Sequence, residues 1–414
     1  MQGTRPVPTP ADRYTYIQGT APQSSSKREV PAIDEATMST KPGQRRTSAE
    51  VAEGDYFTLN PPPAQLQTHI AIARSFVDQH RSQGRRVVLV TSGGTTVPLE
   101  NQTVRFIDNF SAGTRGATSA EYFLEAGYAV VFLHRQFSLL PYARHYSHST
   151  NCFLDYMAEG KDEAVVVGAE YQKKMLGVLR KYNAAKNNNT LLALPFVTIT
   201  DYLWELKELA TLMRPLGAKG LFYLAAAVSD FFIPKDRMVE HKIQSSEAGD
   251  RLSNGGASSM KPSDGSGTDA SGSKKVVIGL DPVPKFLKQL VDGWAPEGMI
   301  VSFKLETDPS ILISKAQMAL QRYSHHLVIG NLLSTRKWEV VFVARNEEEH
   351  WIRVPRHRRL KSFSARSNSL ASDAPNDYEE PQEEPKMEIE SLIVPEVVIM
   401  HGDLIESAEK RDGQ

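Results

Sequence analysis

The segment VVLVTSGGTT, residues 87–96, decides the fold of this chain. It begins with a short run of β-branched residues, which is typical of a strand buried on both faces. A glycine turn follows directly, and glycine allows the backbone to approach a ligand closely. A helix with apolar positions at Ala117, Ala120 and Leu124 then ends at Gly127, and YAVVFLH at residues 128–134 is typical of a second strand. The order strand, helix, strand predicts a parallel βαβ unit.

The same alternation continues on both sides of this unit. Leu66, Ile70, Ala73 and Val77 recur at helical spacing before the first strand, and Gly84 is suited to the end of that helix. Further strands are predicted at residues 194–198, 221–227, 276–280, 300–305, 327–331 and 340–344, and further helices at residues 202–213, 282–292 and 310–323. We therefore predict an α/β fold, a three-layer α/β/α, Rossmann-like arrangement around a mostly parallel sheet.

The composition limits the classes of function. The chain has 414 residues and a net charge of −1, which argues against a general polyanion binder because nucleic acids are bound through clustered Lys and Arg. The longest apolar runs are far shorter than the roughly 18 residues that cross a bilayer, and the N-terminus lacks the apolar core of a secretory signal. A single cysteine, Cys152, excludes an internal disulfide and a multi-cysteine metal site. We expect a cytoplasmic protein without nucleic-acid or membrane partners.

Low-complexity stretches set the predicted domain boundaries. Residues 1–55 are rich in Pro, Ser, Thr and Gln and are predicted to be a disordered tail, because they cannot bury enough apolar surface. Residues 56–350 form the predicted α/β domain, with a flexible insert at residues 248–275 that contains 7 Ser and 6 Gly. Residues 356–390 change from basic to acidic and are predicted to be a second, charged insert. Residues 391–414 are predicted to return to the sheet as a last strand and to end in a tail.

Two glycine-rich segments follow predicted strands, at the edge where open α/β sheets bind ligands. SGGT at residues 92–95 can approach a phosphate, or it can serve only as a turn. DNFSAGTRG at residues 108–116 leads into a helix. It can offer backbone N–H groups to an anion such as a triphosphate, or it can be a capped helix start with Ser111 as the N-cap. Neither segment matches the Walker pattern GxxxxGK[ST].

A third segment of small residues, LAAAVSDF at residues 224–231, follows another predicted strand. Three alanines leave room for a ligand against the backbone, or for a neighbouring helix, and Asp230 adds a fixed acceptor. Lys235 and Lys242 follow in the chain. They are either surface lysines or part of a loop that closes over a negatively charged substrate.

Seven motifs in this order resemble one enzyme family. They are VTSGGTTVPLE (90–100), RFIDNFSAGTRGATSAEYFLEAGY (105–128), AAAVSDFFIPK (225–235), HKIQS (241–245), PVPK (282–285), VSFKLETDP (301–309) and GNLL (330–333). Together they resemble phosphopantothenate–cysteine ligase in its stand-alone eukaryotic form. The bacterial bifunctional form carries a flavin-dependent decarboxylase ahead of the ligase, and the segment ahead of the first strand here is too short for one. No flavin is therefore expected.

The resemblance implies a ligation in coenzyme A biosynthesis. Enzymes of this family join the carboxylate of 4′-phosphopantothenate to the amino group of L-cysteine. A nucleoside triphosphate first forms an acyl-nucleotidylate and releases pyrophosphate, and the nucleoside monophosphate leaves when cysteine attacks. ATP is the expected cosubstrate and CTP the alternative, with Mg²⁺ bridging the phosphates. The sequence does not identify which residues of the protein, if any, bind this metal ion.

The resemblance also implies a role for each matching residue. Asn109 matches the asparagine of the substrate carboxyl and the cysteine-transfer step, and Lys242 matches the loop lysine that neutralises the phosphate of the intermediate. Lys235 is a second candidate for that task. Positions that match nucleotide contacts are Gly93, Ser111, Gly113, Gly116, Phe303 and Asn331, and positions that match phosphopantothenate contacts, besides Asn109, are Ala226, Ala227 and Asp230. In the family the phosphopantothenate-contacting strand end comes from the neighbouring subunit, so a homodimer with a shared active site is expected. Other enzymes of coenzyme A synthesis are candidate partners.

Two alternatives remain open at this point. One is a NAD(P)-dependent Rossmann oxidoreductase, because TSGGTT resembles a dinucleotide turn, although GxGxxG is absent. The other is a catalytically silent regulatory subunit of the same fold. The joint presence of Asn109, Asp230 and Lys242 argues against a silent subunit, because these polar groups add little stability when nothing binds to them.

Overall fold

The computed structural model describes residues 54, 56–147, 152–243, 278–345, 347–355 and 384–412. Most of the predicted N-terminal tail, the insert at residues 248–275 and most of the insert at residues 356–390 lie outside these residues. The described helices and strands are α1 (Leu66–Ser82), β1 (Val87–Ser92), β2 (Thr96–Pro98), β3 (Phe106–Asp108), α2 (Thr114–Glu125), β4 (Ala129–Arg135), β5 (Met157–Glu159), β6 (Val165–Val167), α3 (Ala169–Asn187), β7 (Leu191–Phe196), α4 (Ile199–Met213), β8 (Gly220–Leu224), β9 (Phe231–Phe232), β10 (Asp281–Pro282), α5 (Phe286–Gln289), β11 (Met299–Glu306), α6 (Pro309–Tyr323), β12 (Leu327–Leu332), β13 (Glu339–Ala344), β14 (His350–Arg353) and α7 (Glu390–Asp412).

In the main sheet β1 lies between β8 and β4. Eight of the described strands form it in the order β14-β13-β12-β11-β8-β1-β4-β7. Six neighbouring strands of this sheet are parallel to one another, namely β7, β4, β1, β8, β11 and β12. The strands β13 and β14 add an antiparallel edge. The chain moves outward from β1 to β4 and β7, then returns to the other side of β1 at β8. This reversal creates a crevice between β1 and β8, which is where ligands bind in open α/β sheets.

Helices cover both faces of the sheet because successive side chains of a strand point to opposite sides. Val87 and Leu89 of β1 lie in one core cluster, with apolar residues of α1 and α4. Val88 and Val90 lie in a second cluster, with apolar residues of α2 and α7. The predicted three-layer α/β arrangement and its mostly parallel sheet are therefore confirmed. None of the helices in the described parts of the chain has the length and apolar character that a bilayer crossing requires.

The C-terminal segment corrects one prediction. Residues 391–414 were expected to contribute a strand, but Glu390–Asp412 is α7. Ile393, Val397 and His401 are buried at intervals of four residues, which places them on one helical face. That face packs on α2. The local preference of the Ile- and Val-rich run for strand is thus overridden by tertiary packing.

Several element boundaries also differ from the predictions. The strand predicted at residues 194–198 is β7, which begins and ends earlier, and the strand predicted at residues 221–227 stops at Leu224. The described part of the predicted strand at residues 276–280 contains no strand. Of the helix predicted at residues 282–292, the N-terminal part instead forms β10 and a short connection, and α5 continues into a π-helical turn at Leu290–Trp294.

The buried His401 makes stability depend on pH. Its Nε2–H donates to the Ala218 carbonyl (2.7 Å) and its Nδ1 accepts from the Tyr128 hydroxyl (2.8 Å), so the neutral ring is fully paired. Burial lowers the pKa of His401 to about 4, and the positive charge of Arg86 adds to this effect. The unfolded pKa is about 6.5. The contribution of His401 to the free energy of unfolding is therefore complete above pH 6.5 and is lost as the pH falls towards 4.

We expect the His401→Gln variant to show a flatter dependence of stability on pH. The contribution of His401 should amount to about 3 kcal/mol between pH 7 and 4, because one pKa unit corresponds to about 1.4 kcal/mol. Urea unfolding at several pH values in this window measures it. His350→Gln, which replaces an exposed histidine, is the control. An equal slope in the wild type and His401→Gln would contradict the assignment.

Candidate active site

The carboxyl ends of β1 and β8 are joined by hydrogen bonds beyond the last paired strand residues. The amide of Ala227 donates to the carbonyl of Gly93 (2.8 Å), and the amide of Thr95 donates to the carbonyl of Ala227 (3.0 Å). Hydroxyl groups continue the pattern, since the amide of Ser229 donates to Oγ1 of Thr95 (2.9 Å). The predicted glycine turn and the predicted alanine segment therefore form one fixed wall at the switch point of the sheet.

Asn109 is held against this wall by its backbone. Its amide donates to the carbonyl of Thr95 (3.2 Å). Its carbonyl oxygen lies so close to Gly94 that a Cβ at position 94 would be 1.6 Å away. Only glycine fits there, because real Cβ atoms do not approach oxygen to that distance. The hairpin of β2 and β3 thus delivers the half-buried Asn109 to the crevice.

The start of α2 lies beside the carboxyl end of β1, where Ser92 Oγ donates to the carbonyl of Gly113 (3.0 Å). Its N-cap is Gly113, with φ +82°, and not Ser111. Ser111 Oγ instead accepts a hydrogen bond from the Gly113 amide (3.3 Å). The 12-residue helix has no acidic residue in its first turn, so its N-terminus keeps its positive electrostatic potential. The interpretation of Ser111 as a simple N-cap is therefore wrong, and the helix start is available to an anion.

A cavity of about 700 Å³ occupies the crevice, within the size range of small-molecule sites. Of the predicted site residues, Asn109, Ser111, Gly113, Ala226, Ala227, Asp230, Phe303 and Asn331 line it. Gly93 and Gly116 are buried and do not line it. A Cβ on Gly116 would lie 2.5 Å from Ser92, so Gly116 permits close packing of α2 on β1. Gly116 therefore supports the cavity wall, and its contact with a nucleotide stays a prediction.

The cavity wall carries an excess of positive charge. Arg115, Lys285, Lys304 and Arg336 line it, against the single carboxylate of Asp230. Lys285 Nζ lies 3.4 Å from Asp230 Oδ1, and both side chains are largely exposed, so this ion pair adds little stability. Sequence reasoning did not assign any of these four cations to the site. The sequence signal that could have assigned Arg115 to the site was its position two residues after Gly113, within the motif DNFSAGTRG. The excess charge is suited to an anionic ligand.

The far wall consists of β11 and β12. The Phe303 ring packs edge-on against Tyr223, with 5.0 Å between ring centroids, and the neighbouring strand places buried Asn331 nearby. Ser302 also lines the cavity, and its Oγ is 2.7 Å from Nε2 of the buried His325. Burial lowers the pKa of His325 to about 4, so its ring is neutral at pH 7. This wall offers an aromatic edge, a carboxamide and a hydroxyl to the ligand.

Lys235 and Lys242 lie outside the cavity of their own chain. Both are exposed, and neither lines the cavity. The segment before Lys242 runs beside residues 100–102, where the Asn101 amide donates to the carbonyl of Val239 (2.9 Å). The structure therefore brings together most of the predicted site residues, but not these two lysines.

The fully buried Glu100 anchors the chain segment that contains Lys242. Its carboxylate accepts hydrogen bonds from the backbone amide of Arg105 (2.9 Å), from the Arg105 guanidinium (3.0 Å) and from the amide of Ile243 (3.4 Å). Burial alone would raise the pKa of Glu100, but these hydrogen bonds, together with one from the Val104 amide, hold it below its ordinary value. The ionised carboxylate thus fixes the chain next to Lys242.

The fold and the site define a Rossmann-like α/β protein that holds its ligand at the switch point of a mostly parallel sheet. Residues 83–150 match the family model described as the DNA/pantothenate metabolism flavoprotein C-terminal domain. The phosphopantothenate–cysteine ligase CAB2 of Saccharomyces cerevisiae is 46% identical over 354 residues, which cover 84% of this chain and 86% of that protein. The human phosphopantothenate–cysteine ligase is 42% identical over 303 residues, which cover 72% of this chain and 88% of that protein.

Solved structures agree with this result. A Cab2 mutant in complex with phosphopantothenate-cysteine matches with a TM-score of 0.68 at 44% identity, covering 86% of this chain and 99% of that chain. The chain therefore belongs to the phosphopantothenate–cysteine ligase family of enzymes. This membership confirms the resemblance carried by the seven motifs and favours a ligase over a NAD(P)-dependent oxidoreductase.

Proposed function

We propose that this enzyme joins 4′-phosphopantothenate to L-cysteine with a nucleoside triphosphate, as a cytoplasmic step in coenzyme A synthesis. A carboxylate is a poor acyl donor, and a mixed anhydride with a nucleotide makes it a good one. The observation that carries the proposal is the cavity at the β1–β8 crevice, where Asn109, a helix N-terminus and four cations converge. Positioned cations and N–H donors are the groups that stabilise charge as a nucleotidyl group is transferred.

The nucleotide is assigned to the side of the cavity between α2 and β11. Ser111 and Gly113 at the start of α2 are suited to phosphate oxygens, whereas Phe303 and Asn331 on the far wall are suited to a base. ATP is the proposed cosubstrate and CTP the alternative. Mg²⁺ is proposed to bridge the phosphates of the bound nucleotide. No three His, Cys, Asp or Glu side chains cluster as a metal site among the described residues.

The substrate acid is assigned to the wall formed by the alanine segment of the same chain as Asn109, whereas the resemblance implied that the neighbouring subunit supplies this segment. Ala226 and Ala227 expose backbone that phosphopantothenate can contact, and Asn109 lies at the same end of the crevice. A carboxamide both donates and accepts hydrogen bonds, so Asn109 can hold an acyl oxygen and orient the cysteine amine. This arrangement would place the acid next to the α-phosphorus of the nucleotide.

A homodimer with shared sites is part of the proposal. The side chain of Asp230 is 77% exposed, and the exposed Lys235 and Lys242 do not line the cavity of their own chain. Two large aromatic side chains are also exposed, Phe110 next to Asn109 in the chain at 92% and Phe231 next to Asp230 at 50%. These features support a second copy that covers the apolar groups and receives the charged ones. Sedimentation at micromolar concentration tests the stoichiometry, and a monomer would contradict a shared site.

Pyrophosphate release tests the proposed reaction. Each of the four nucleoside triphosphates is supplied in turn with Mg²⁺, with phosphopantothenate and with or without cysteine. Release that depends on phosphopantothenate, and is fastest with ATP, is expected. A chain that binds nucleotide but releases no pyrophosphate would be a silent subunit. Tight binding of NADPH in a fluorescence titration would instead favour the oxidoreductase.

Replacing Lys242 by alanine is expected to lower the amount of acyl-nucleotidylate at least tenfold. The proposed role of its ammonium group is to neutralise the phosphate of this intermediate, and such charge pairs in closed sites contribute about 1.5–3 kcal/mol. Rapid-quench sampling measures the intermediate directly. Lys186→Ala, which removes an exposed lysine at the end of α3, is the control. Normal accumulation of the intermediate in Lys242→Ala would remove Lys242 from the mechanism.

A further inference from the structure

Arg115 enters the cavity in a fixed orientation. It is the second residue of α2 and lines the cavity next to Gly113. Its Nη2 donates to the carbonyl of Arg336 (2.6 Å), and its guanidinium carbon lies 5.9 Å from the centroid of the Phe303 ring. These contacts place the cation between the start of the helix and the aromatic wall. An arginine side chain is otherwise free to adopt many rotamers, so each contact reduces the entropy that a ligand must remove.

The remaining contact of Arg115 comes from the far end of the chain. Nη1 donates to Oε1 of Glu390, at 2.9 Å, and both side chains are mostly buried. Glu390 is the first residue of α7, whose apolar face packs on α2. The two hydrogen bonds occupy two of the five N–H donors of the guanidinium, which leaves three for an anion in the cavity. The carboxylate also opposes rotation of the guanidinium away from the cavity.

A second glutamate offers a natural comparison. Glu388 lies two residues earlier and pairs with Arg144 (2.6 Å) and with the hydroxyl of Tyr122 (3.1 Å). It therefore attaches the same segment of chain to the body of the protein. Arg144 does not line the crevice cavity, and Glu388 does not contact Arg115 in the described structure. The two glutamates share the anchoring function, but only Glu390 reaches a residue of the cavity.

We propose that Glu390 is a positioning residue that holds the guanidinium of Arg115 on the phosphate groups of the bound nucleotide. The inference rests on the proposed function, because it assigns the cavity to a nucleoside triphosphate. Its new element is that the C-terminal helix, about 275 residues beyond Arg115 in the chain, sets nucleotide affinity through one ion pair.

Steady-state kinetics separate positioning from simple anchoring. Glu390→Ala is expected to raise the KM for ATP about tenfold, while the KM values for phosphopantothenate and cysteine stay within about twofold. Glu390→Gln should recover part of the loss, because its side-chain carbonyl can still accept from Nη1. Glu388→Ala should lower the melting temperature without raising the KM for ATP. In an Arg115→Ala background, Glu390→Ala should cause no further increase.

Equal increases in the KM for ATP from Glu388→Ala and Glu390→Ala would overturn the proposal, as would additive effects of Arg115→Ala and Glu390→Ala. Calorimetric binding of ATP and of CTP with Mg²⁺ keeps this result distinct from the proposed reaction. If the wild type binds a nucleotide but forms no product, the proposed reaction is wrong, and the affinity of Glu390→Ala still tests the positioning role. If neither nucleotide binds to the wild type, both proposals fail.

Discussion

Replacing Asn109 by alanine is expected to reduce turnover by two to three orders of magnitude, about the effect of removing one donor from a transition-state site. The position of this residue is set by its backbone, because its N–H donates a hydrogen bond to the Thr95 carbonyl and its own carbonyl packs against Gly94. Among the described residues the side chain of Asn109 makes no hydrogen bond, and Asn109 lines the cavity. Truncation should therefore remove a reacting-group contact without disturbing the fold.

Product formation and thermal unfolding, measured on the same preparation, test this expectation. The melting temperature of Asn109→Ala should stay within a few degrees of the wild-type value. Asn187→Ala, at the exposed end of α3, should change neither quantity. Near-normal turnover of Asn109→Ala would exclude Asn109 from the chemistry. A large fall in melting temperature would show that the side chain supports the fold instead.

Gly94→Ala is expected to damage both stability and activity. An added Cβ would lie 1.6 Å from the carbonyl oxygen of Asn109 and 2.8 Å from its carbonyl carbon, and backbone atoms cannot turn aside as a flexible side chain can. The turn and the hairpin of β2 and β3 must therefore separate. We expect a loss of about 2–4 kcal/mol in the free energy of unfolding, as for severe overpacking in a core, together with a strong fall in turnover.

Gly177→Ala provides a matched control on the same protein. Gly177 lies within α3, and a Cβ there would meet no atom within 4 Å. Alanine in the middle of a helix is about 1 kcal/mol more favourable than glycine, so this variant should be slightly more stable. Denaturant unfolding compares the two substitutions. A Gly94→Ala variant as stable and active as the wild type would show that the hairpin is not pressed against the glycine turn.

The parts of the fold that follow from local patterns could be predicted from the sequence. The β-branched run before SGGT and the helix ended by Gly127 identified β1, α2 and β4, because each element carries its own periodicity and its own stop signal. The N-cap of α6 is a further local feature, since Asp308 precedes Pro309 at the helix start and its Oδ1 accepts from the Ser310 amide at 2.9 Å. The alternation of these elements was sufficient to predict the parallel sheet.

The features that depend on distant contacts could not be predicted in this way. The run from Ile393 to Met400 has the composition of a strand and contains Pro395, yet it is helical because α2 and the sheet bury one side of it. The sequence signal for a helix here was the spacing of four residues between Ile393, Val397 and His401. The four cavity cations come from separate segments, and no spacing within one segment could bring them together.

The pairing of β9 with β10 has a consequence for how this enzyme can change. Phe231–Phe232 and Asp281–Pro282 lie side by side, and Arg237 forms an ion pair with Asp281. The two ends of the segment between β9 and β10 are therefore held side by side. The entropic cost of closing a segment between fixed ends grows slowly with its length, by about 0.6 kcal/mol for each doubling. The number of residues between positions 232 and 281 can therefore differ among related chains at little cost in the free energy of unfolding.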